Sequence, residues 1–187
     1  MGFLKKKGGY SNLRVFKISE IIYDTTYHFC QHYLSKRDRT VDQMVQAARS
    51  GKQNIAEGSK ASMTSTKTEI HLTNVAKSSL EELLLDYQDY LRTRHLNRWN
   101  ASNKRYLKMR DYVKTEEFEK NYSQLILRLN DEEIANMCIT LIHQAIYLLE
   151  NLLEAQQEQF VKEGGVSEAM TEARLEERKK QQEKGNC

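Results

Sequence analysis

Between Tyr10 and Glu163 the chain contains no proline and only two glycines, Gly51 and Gly58. Proline removes a backbone donor and glycine admits left-handed turns, so a stretch this poor in both has few places to end a helix. Apolar residues recur at helical spacing along most of it, which predicts an all-α protein. The chain has 187 residues, 39% of them hydrophobic and 29% charged. That supports one core with a solvated surface, and the length fits one domain with an appendage.

The segment from Gln43 to Leu91 organises the rest, reading as two helices joined by a polar turn at Ser62 to Ser65. In its first half Ala47, Ala48, Ser50, Gly51, Ala56 and Gly58 stand beside Met44, Val45 and Ile55. Small residues at helical spacing let a neighbouring helix come close, at some cost in propensity at Gly51. The second half repeats Ile70, Val75, Ala76, Leu80, Leu83, Leu84, Tyr87 and Leu91, the recurrence of a buried helix face.

Residues 1–10 read as a flexible basic arm. A first helix is predicted from about Leu13 to Leu34, capped by Ser11 or Asn12. A second follows from Val41 to Lys60, with Asp38 or Thr40 as its cap and Gly58 helping to end it. The third starts at Thr64 to Thr66, where Thr66 and Glu69 have capping-box spacing, and continues to Leu91 and toward Arg98. Two shorter helices, Lys104–Val113 and Glu116–Leu129, precede a long one opening at Asn130 or Asp131. Asp131, Glu132 and Glu133 suit the positive end of its dipole. Gly164 and Gly165 interrupt it, and residues 164–187 form a charged suffix or tail, exposed as a helix or disordered. Residues 11–163 then make an up-down four-helix bundle with a long, partly helical connection between the third and fourth long helices.

QAARSGKQNIAEGS, the polar turn and LTNVAKSSLEELLLDY together resemble the 23S rRNA intervening-sequence-encoded four-helix-bundle proteins. The N-I-A-E-G segment of that family is matched by Asn54, Ile55, Ala56, Glu57 and Gly58. Its A-x-x-S-L-x-E-L helix is matched by Ala76, Ser79, Leu80, Glu82 and Leu83. The likeness spans residues 10–160, and FVKEGGVSEAMTEAR at Phe160 to Arg174 resembles the subgroup with a C-terminal suffix. The broad family includes the accessory variability proteins of diversity-generating retroelements, pentameric barrels that engage a reverse transcriptase and nucleic acid. The resemblance therefore implies a homopentamer, with a reverse transcriptase or an RNA-processing protein among its partners.

The net charge of +3 conceals a segregation: residues 91–114 hold eight Lys or Arg against one acid, and residues 115–187 hold eight against fifteen. The basic segment carries Arg92, Arg94, Arg98, Lys104, Arg105, Lys108, Arg110 and Lys114, interleaved with His95, Trp99, Tyr106 and Tyr112. Cations bind phosphates, and aromatic rings stack on unpaired bases, so the pattern suits RNA or single-stranded DNA. The candidate contacts are Arg92, Arg94, Arg98, Trp99, Lys104, Arg105, Lys108 and Arg110. The rival reading is a solvated basic face whose Arg stems cover apolar surface and pair with the acidic C-terminal third.

Arg49, Gln53 and Glu57 recur every four residues with Asn54 beside them, which reads as a hydrogen-bonded ladder or a subunit contact. Arg49 and Lys52 are alternatively nucleic-acid contacts. His28 and His32 share a helix face at a metal-compatible spacing, but no third ligand is evident. Ser50 and Ser59 lack a nucleophile elbow, and there is no Gly-rich phosphate loop. Cys30, Cys138 and Cys187 lack metal spacing and read as reduced thiols, the first two in apolar patterns. The segment MGFLKKKGGYSN does not read as a secretory signal, and no apolar run has the length of a membrane span.

The expectation is a non-enzymatic, cytoplasmic homo-oligomer without cofactor or metal that binds RNA or single-stranded DNA as an accessory factor. The alternative is a protein-interaction scaffold that binds no nucleic acid. Tyr23, Tyr27, Tyr87 and Tyr90 are more aromatic surface than an isolated bundle needs and are expected at subunit contacts.

Overall fold

The computed structural model describes residues 9–185, and every regular element among them is helical. A 3-10 turn at Tyr10–Asn12 leads into α1 (Arg14–Tyr33), α2 (Thr40–Ala61) and α3 (Thr66–Thr93). Two short helices follow, α4 (Lys104–Tyr112) and α5 (Glu116–Leu125), then α6 (Asp131–Glu163) and α7 (Val166–Gly185). Residues 1–8 of the expected arm and Cys187 lie outside the described residues. Tyr10 belongs to the folded part: its ring meets Phe16 edge-on at 4.8 Å, and the Lys60 ammonium lies 5.2 Å from its centroid.

The polar turn at residues 62–65 joins α2 to α3, as the sequence predicts. The caps differ from expectation in three places. Leu13, not Ser11 or Asn12, occupies the N-cap of α1, because the preceding turn is closed by Leu13 N–H donating to Tyr10 C=O at 2.9 Å. The N-cap of α2 is Arg39, in helical geometry and without a side-chain bond; Asp38 Oδ1 instead accepts from Thr40 N–H at 3.0 Å. Ser65 rather than Thr66 caps α3, accepting from Thr68 N–H at 3.2 Å, so no Thr66–Glu69 box forms. The start of α6 follows the sequence closely. Asn130 and Glu133 form a reciprocal capping box, and Asp131, Glu132 and Glu133 fill the first turn.

Helix α1 packs on α2 and α6, and α3 packs on the same two, which closes a ring of four long helices around one core. Ile22, Phe29, Met44, Leu80, Leu83, Tyr87, Ile134, Met137, Leu141 and Ile142 are fully buried there. Burying such side chains is worth roughly 1.5–3 kcal/mol each before entropy is counted. Gly51 allows the approach of α2 to α3, since a Cβ there would lie 2.8 Å from Leu80 Cδ2. Gly58 does not end α2, which runs on to Ala61; it faces Leu72 and Thr73 of α3.

Tyr87 and Tyr90 are core residues and not spare surface. Phe29 lies 5.1 Å from the Tyr87 ring and 4.7 Å from the Tyr90 ring. The Tyr87 hydroxyl donates to Thr26 Oγ1 at 3.0 Å, and that of Tyr90 donates to Asp131 Oδ2 at 2.9 Å. Of the four tyrosines expected at subunit contacts, Tyr27 is exposed and Tyr23 is partly buried.

Gly164, at φ 68°, ends α6, and α7 starts two residues later. From Thr171 to Gln182 every residue of α7 is exposed. Among the described residues no helix is long and apolar enough to cross a membrane.

Candidate nucleic-acid interface

Helix α3 stops before the basic segment is complete. Leu96 N–H donates back to Leu91 C=O at 2.9 Å, and His95 adopts a left-handed φ of 56°. The chain then lies along the outer side of α6 and is fastened by two side chains one turn apart. Asn136 Oδ1 accepts from Trp99 N–H at 2.7 Å, while Asn136 Nδ2 donates to Asn97 C=O at 2.9 Å. Glu132 accepts from Asn97 N–H through Oε2 at 3.0 Å and from Trp99 Nε1–H through Oε1 at 3.1 Å. With α1, α3 and α4 all packed on α6, residues 134–142 of α6 are buried without a break.

This fastening corrects the place of Trp99. The residue is 8% exposed and its ring N–H is already paired, so it is a structural anchor and offers no open face for a base. The cations around it divide into three groups. Arg98, Lys104, Arg105 and Lys108 are exposed, and none is ion-paired among the described residues. Arg92 and Arg94 belong to an acidic neighbourhood at the end of α3. Arg92 Nη2 pairs with Asp89 Oδ1 at 2.8 Å, and the Arg94 guanidinium lies 3.9 Å from the Tyr90 centroid. Hydrogen bonds from Thr40, aided by the Arg94 charge, hold the Asp38 carboxyl below its usual range. Arg92 and Arg94 are exposed as well, but each has a neighbour of its own on α3, Asp89 for the first and the Tyr90 ring for the second.

Arg110 belongs to the third group. It lines a groove of about 430 Å³ together with Arg14, Tyr106, Lys114, His143 and Tyr147. Arg14 Nη2 donates to Lys114 C=O at 3.3 Å and so links the start of α1 to the end of α4. Partial desolvation, and then the charge of Arg98, push the His143 imidazole below its ordinary pKa. The sequence reading missed Arg14, His143 and Tyr147. The available signal was the i,i+4 pair His143 and Tyr147, which falls off the apolar stripe of α6; Arg14, 100 residues from Lys114, carried none.

The stripe on α2 does not form a ladder. The side chains of Arg49, Gln53 and Glu57 make no hydrogen bond or ion pair among the described residues. Asn54 carries the polar link, donating to Ser50 C=O at 2.9 Å and Ser50 Oγ at 3.1 Å; Ser50 Oγ shares a hydrogen bond with Ser79 Oγ on α3 at 2.9 Å. Lys52 lies over the Tyr23 ring, 4.2 Å from its centroid. A second groove, of about 640 Å³, runs between α2 and α3 and is lined by Asp42, Glu82 and Asp86. Burial, then Asp89 and Glu82, raise the Asp86 pKa.

His28 and His32 stack at 4.0 Å, and no group of three His, Cys, Asp or Glu among the described residues is placed to hold a metal. Cys30 and Cys138 are buried, as the apolar patterns predict, and burial pushes both thiols up to about 12. The chain matches no protein-family model, and no curated protein or solved structure shows a significant match to it.

Proposed function

We propose that this chain is a non-enzymatic accessory protein that binds RNA or single-stranded DNA as a cytoplasmic homo-oligomer. The observation that carries the reading is the group Arg98, Lys104, Arg105 and Lys108, exposed without ion pairs, the first on the segment that Glu132 and Asn136 fasten to α6 and the others on α4, which follows it and also packs on α6. A fixed backbone presenting unpaired cations suits a run of phosphates. In this reading the ring of α1, α2, α3 and α6 is an up-down four-helix bundle of the kind the 23S rRNA intervening-sequence-encoded proteins have. The partner is a reverse transcriptase or an RNA-processing protein, as that resemblance implies.

Opposite charges support assembly. The α2–α3 edge, with its acidic groove, lies across the ring from the α1–α6 edge that carries the basic residues. Two such faces complement each other between copies in a head-to-tail contact, the kind that closes rings. The resemblance supplies the number five. The same two faces also suit the rival reading, a scaffold in which the basic side serves assembly alone.

Changing Arg98, Lys104, Arg105 and Lys108 together to Gln tests the reading. Affinity of the native protein for a single-stranded RNA falls steeply as salt rises. The variant binds more weakly, and its log–log salt slope is flatter by about 3, on the scale of about 0.7 per phosphate contact. If the native protein binds neither RNA nor DNA at low salt, yet light scattering still gives about five times 21.9 kDa, the scaffold reading stands instead.

A further inference from the structure

We propose that the groove between the start of α1, helix α4 and the middle of α6 is a site for one nucleoside monophosphate unit. The shared chemistry is a phosphate joined to a flat aromatic base, whether free or within a strand. The inference deepens the reading above and rests on it in taking phosphate as the anion of this side.

The cations arrive from separate elements. Arg14 is the first residue of α1, Arg110 is in the last turn of α4, and Lys114 follows that helix. Arg14 is tied to the backbone of Lys114 and so holds the end of α4 against the start of α1, which leaves Arg110 and Lys114 as the cations of the groove that an anion can take. The Arg110 guanidinium lies 5.9 Å from the centroid of the Tyr106 ring, which limits where its fork can go. Its acidic neighbour, Asp111, is 3.7 Å away, and the two side chains are 46% and 70% exposed, so the pairing is weak. A phosphate accepting two bonds from a guanidinium competes well with such a contact.

The other half of the groove suits a base. Tyr147 is 62% exposed, a large ring left in solvent beside the cations. Buried Val113 and half-buried Leu148 give an apolar floor. The α6 residues that line the groove run from Thr140 to Leu148, about 12 Å of helix at 1.5 Å per residue, which is the scale of one nucleotide and not of a duplex. The volume, about 430 Å³, is in the range of small-molecule sites. Phosphate on Arg110 and Lys114, with the base against Tyr147, uses both halves.

Titration calorimetry on the full chain tests the site with adenosine 5′-monophosphate, adenosine, inorganic phosphate and a single-stranded oligonucleotide. The nucleotide is expected to bind at least tenfold more tightly than adenosine or phosphate. Tyr147→Ala, at an exposed position, weakens the nucleotide about tenfold and leaves phosphate unchanged. The double change Arg110→Gln with Lys114→Gln weakens both. If the oligonucleotide, and not the free nucleotide, shows the Tyr147 dependence, the site takes the unit within a strand. If neither ligand depends on Tyr147 and on the Arg110–Lys114 pair, the proposal is overturned. The variant lacking Arg98, Lys104, Arg105 and Lys108 separates the two readings. Nucleotide binding without any strand binding sinks the function above and keeps this site. Strand binding indifferent to Tyr147 and to the Arg110–Lys114 pair, with no nucleotide binding, does the reverse.

Discussion

Trp99 Nε1–H donates to Glu132 Oε1 at 3.1 Å, and the other oxygen of the same carboxylate accepts from the backbone N–H of Asn97 at 3.0 Å. One acidic side chain thus holds both a ring and the backbone two residues before it. The segment after α3 has no helical hydrogen bonds of its own between residues 96 and 99, and a buried backbone group without a partner is costly. Glu132 and Asn136 supply those partners, which is why an irregular stretch can lie flat against α6 and carry its cations outward.

Trp99→Ala therefore reads out as stability. Removing a buried Trp typically costs about 3–5 kcal/mol, and the change also leaves Glu132 Oε1 without its donor. Urea unfolding is expected to shift to clearly lower concentration, with Trp99→Phe intermediate. An unchanged midpoint, together with weaker binding of single strands alone, would return Trp99 to the surface as a stacking residue.

Trp99 also marks the limit of what the sequence discloses. The helices were legible because their apolar residues repeat at 3.6, and the turn at residues 62–65 because Ser62, Thr64 and Ser65 interrupt that repeat. In RTRHLNRWNASNK the same reasoning sees aromatic and basic residues side by side and reads one binding stripe. It cannot see Glu132 and Asn136, which arrive 33 and 37 residues later and turn the ring inward. Charge segregation was legible for the same segment, but its division was not. Arg92 pairs with Asp89, Arg94 lies over the Tyr90 ring, and Arg110 lines a groove together with Arg14. Caps were the least legible feature: Ser65 and Thr66 are both good caps by type, and one hydrogen bond to Thr68 N–H decides between them.

The two glycines of α2 are expected to respond in opposite directions. At Gly51 a Cβ would stand 2.8 Å from Leu80 Cδ2 and 3.0 Å from Leu80 Cγ, and Leu80 is fully buried and has little room to move. Gly51→Ala should cost about 1–3 kcal/mol from overpacking, and Gly51→Leu should prevent the close contact of α2 with α3. At Gly58 the nearest atom would be Leu72 Cβ at 3.4 Å, an ordinary contact. Gly58→Ala should be neutral or stabilising by up to about 1 kcal/mol, the propensity difference between the two residues. Thermal melts of the pair decide it, and equal shifts would contradict the packing described.

The buried thiols give a prediction with a pH profile. Cys30 and Cys138 are 2% and 0% exposed, and their thiols are raised to about 12. Burial is the first cause in both. Asp86 and Asp38 add to it at Cys30, and a hydrogen bond with Tyr87 opposes it at Cys138. The thiolate is the reactive form, so at pH 8 a group titrating near 12 exposes only about one part in ten thousand of it. A Cys187→Ser variant removes the third thiol. In that background a disulfide reagent such as dithiobis-nitrobenzoate should leave the native protein unlabelled for minutes at pH 8, and should find two thiols once denaturant is added. The direction with pH separates two routes of labelling. Direct attack on the folded site must keep rising about tenfold per pH unit well beyond pH 9, because the folded thiols are still protonated there. Labelling through opening of the helices exposes ordinary thiols, and its rate levels off near the unperturbed value of about 8.5. Leu83, Tyr87 and Leu141, all fully buried, belong to the same core as both cysteines, so opening is the expected route, and its rate should rise in Gly51→Ala in step with the lost stability. Labelling of the native variant at the rate of a free thiol would show that the core around Cys138 is not closed.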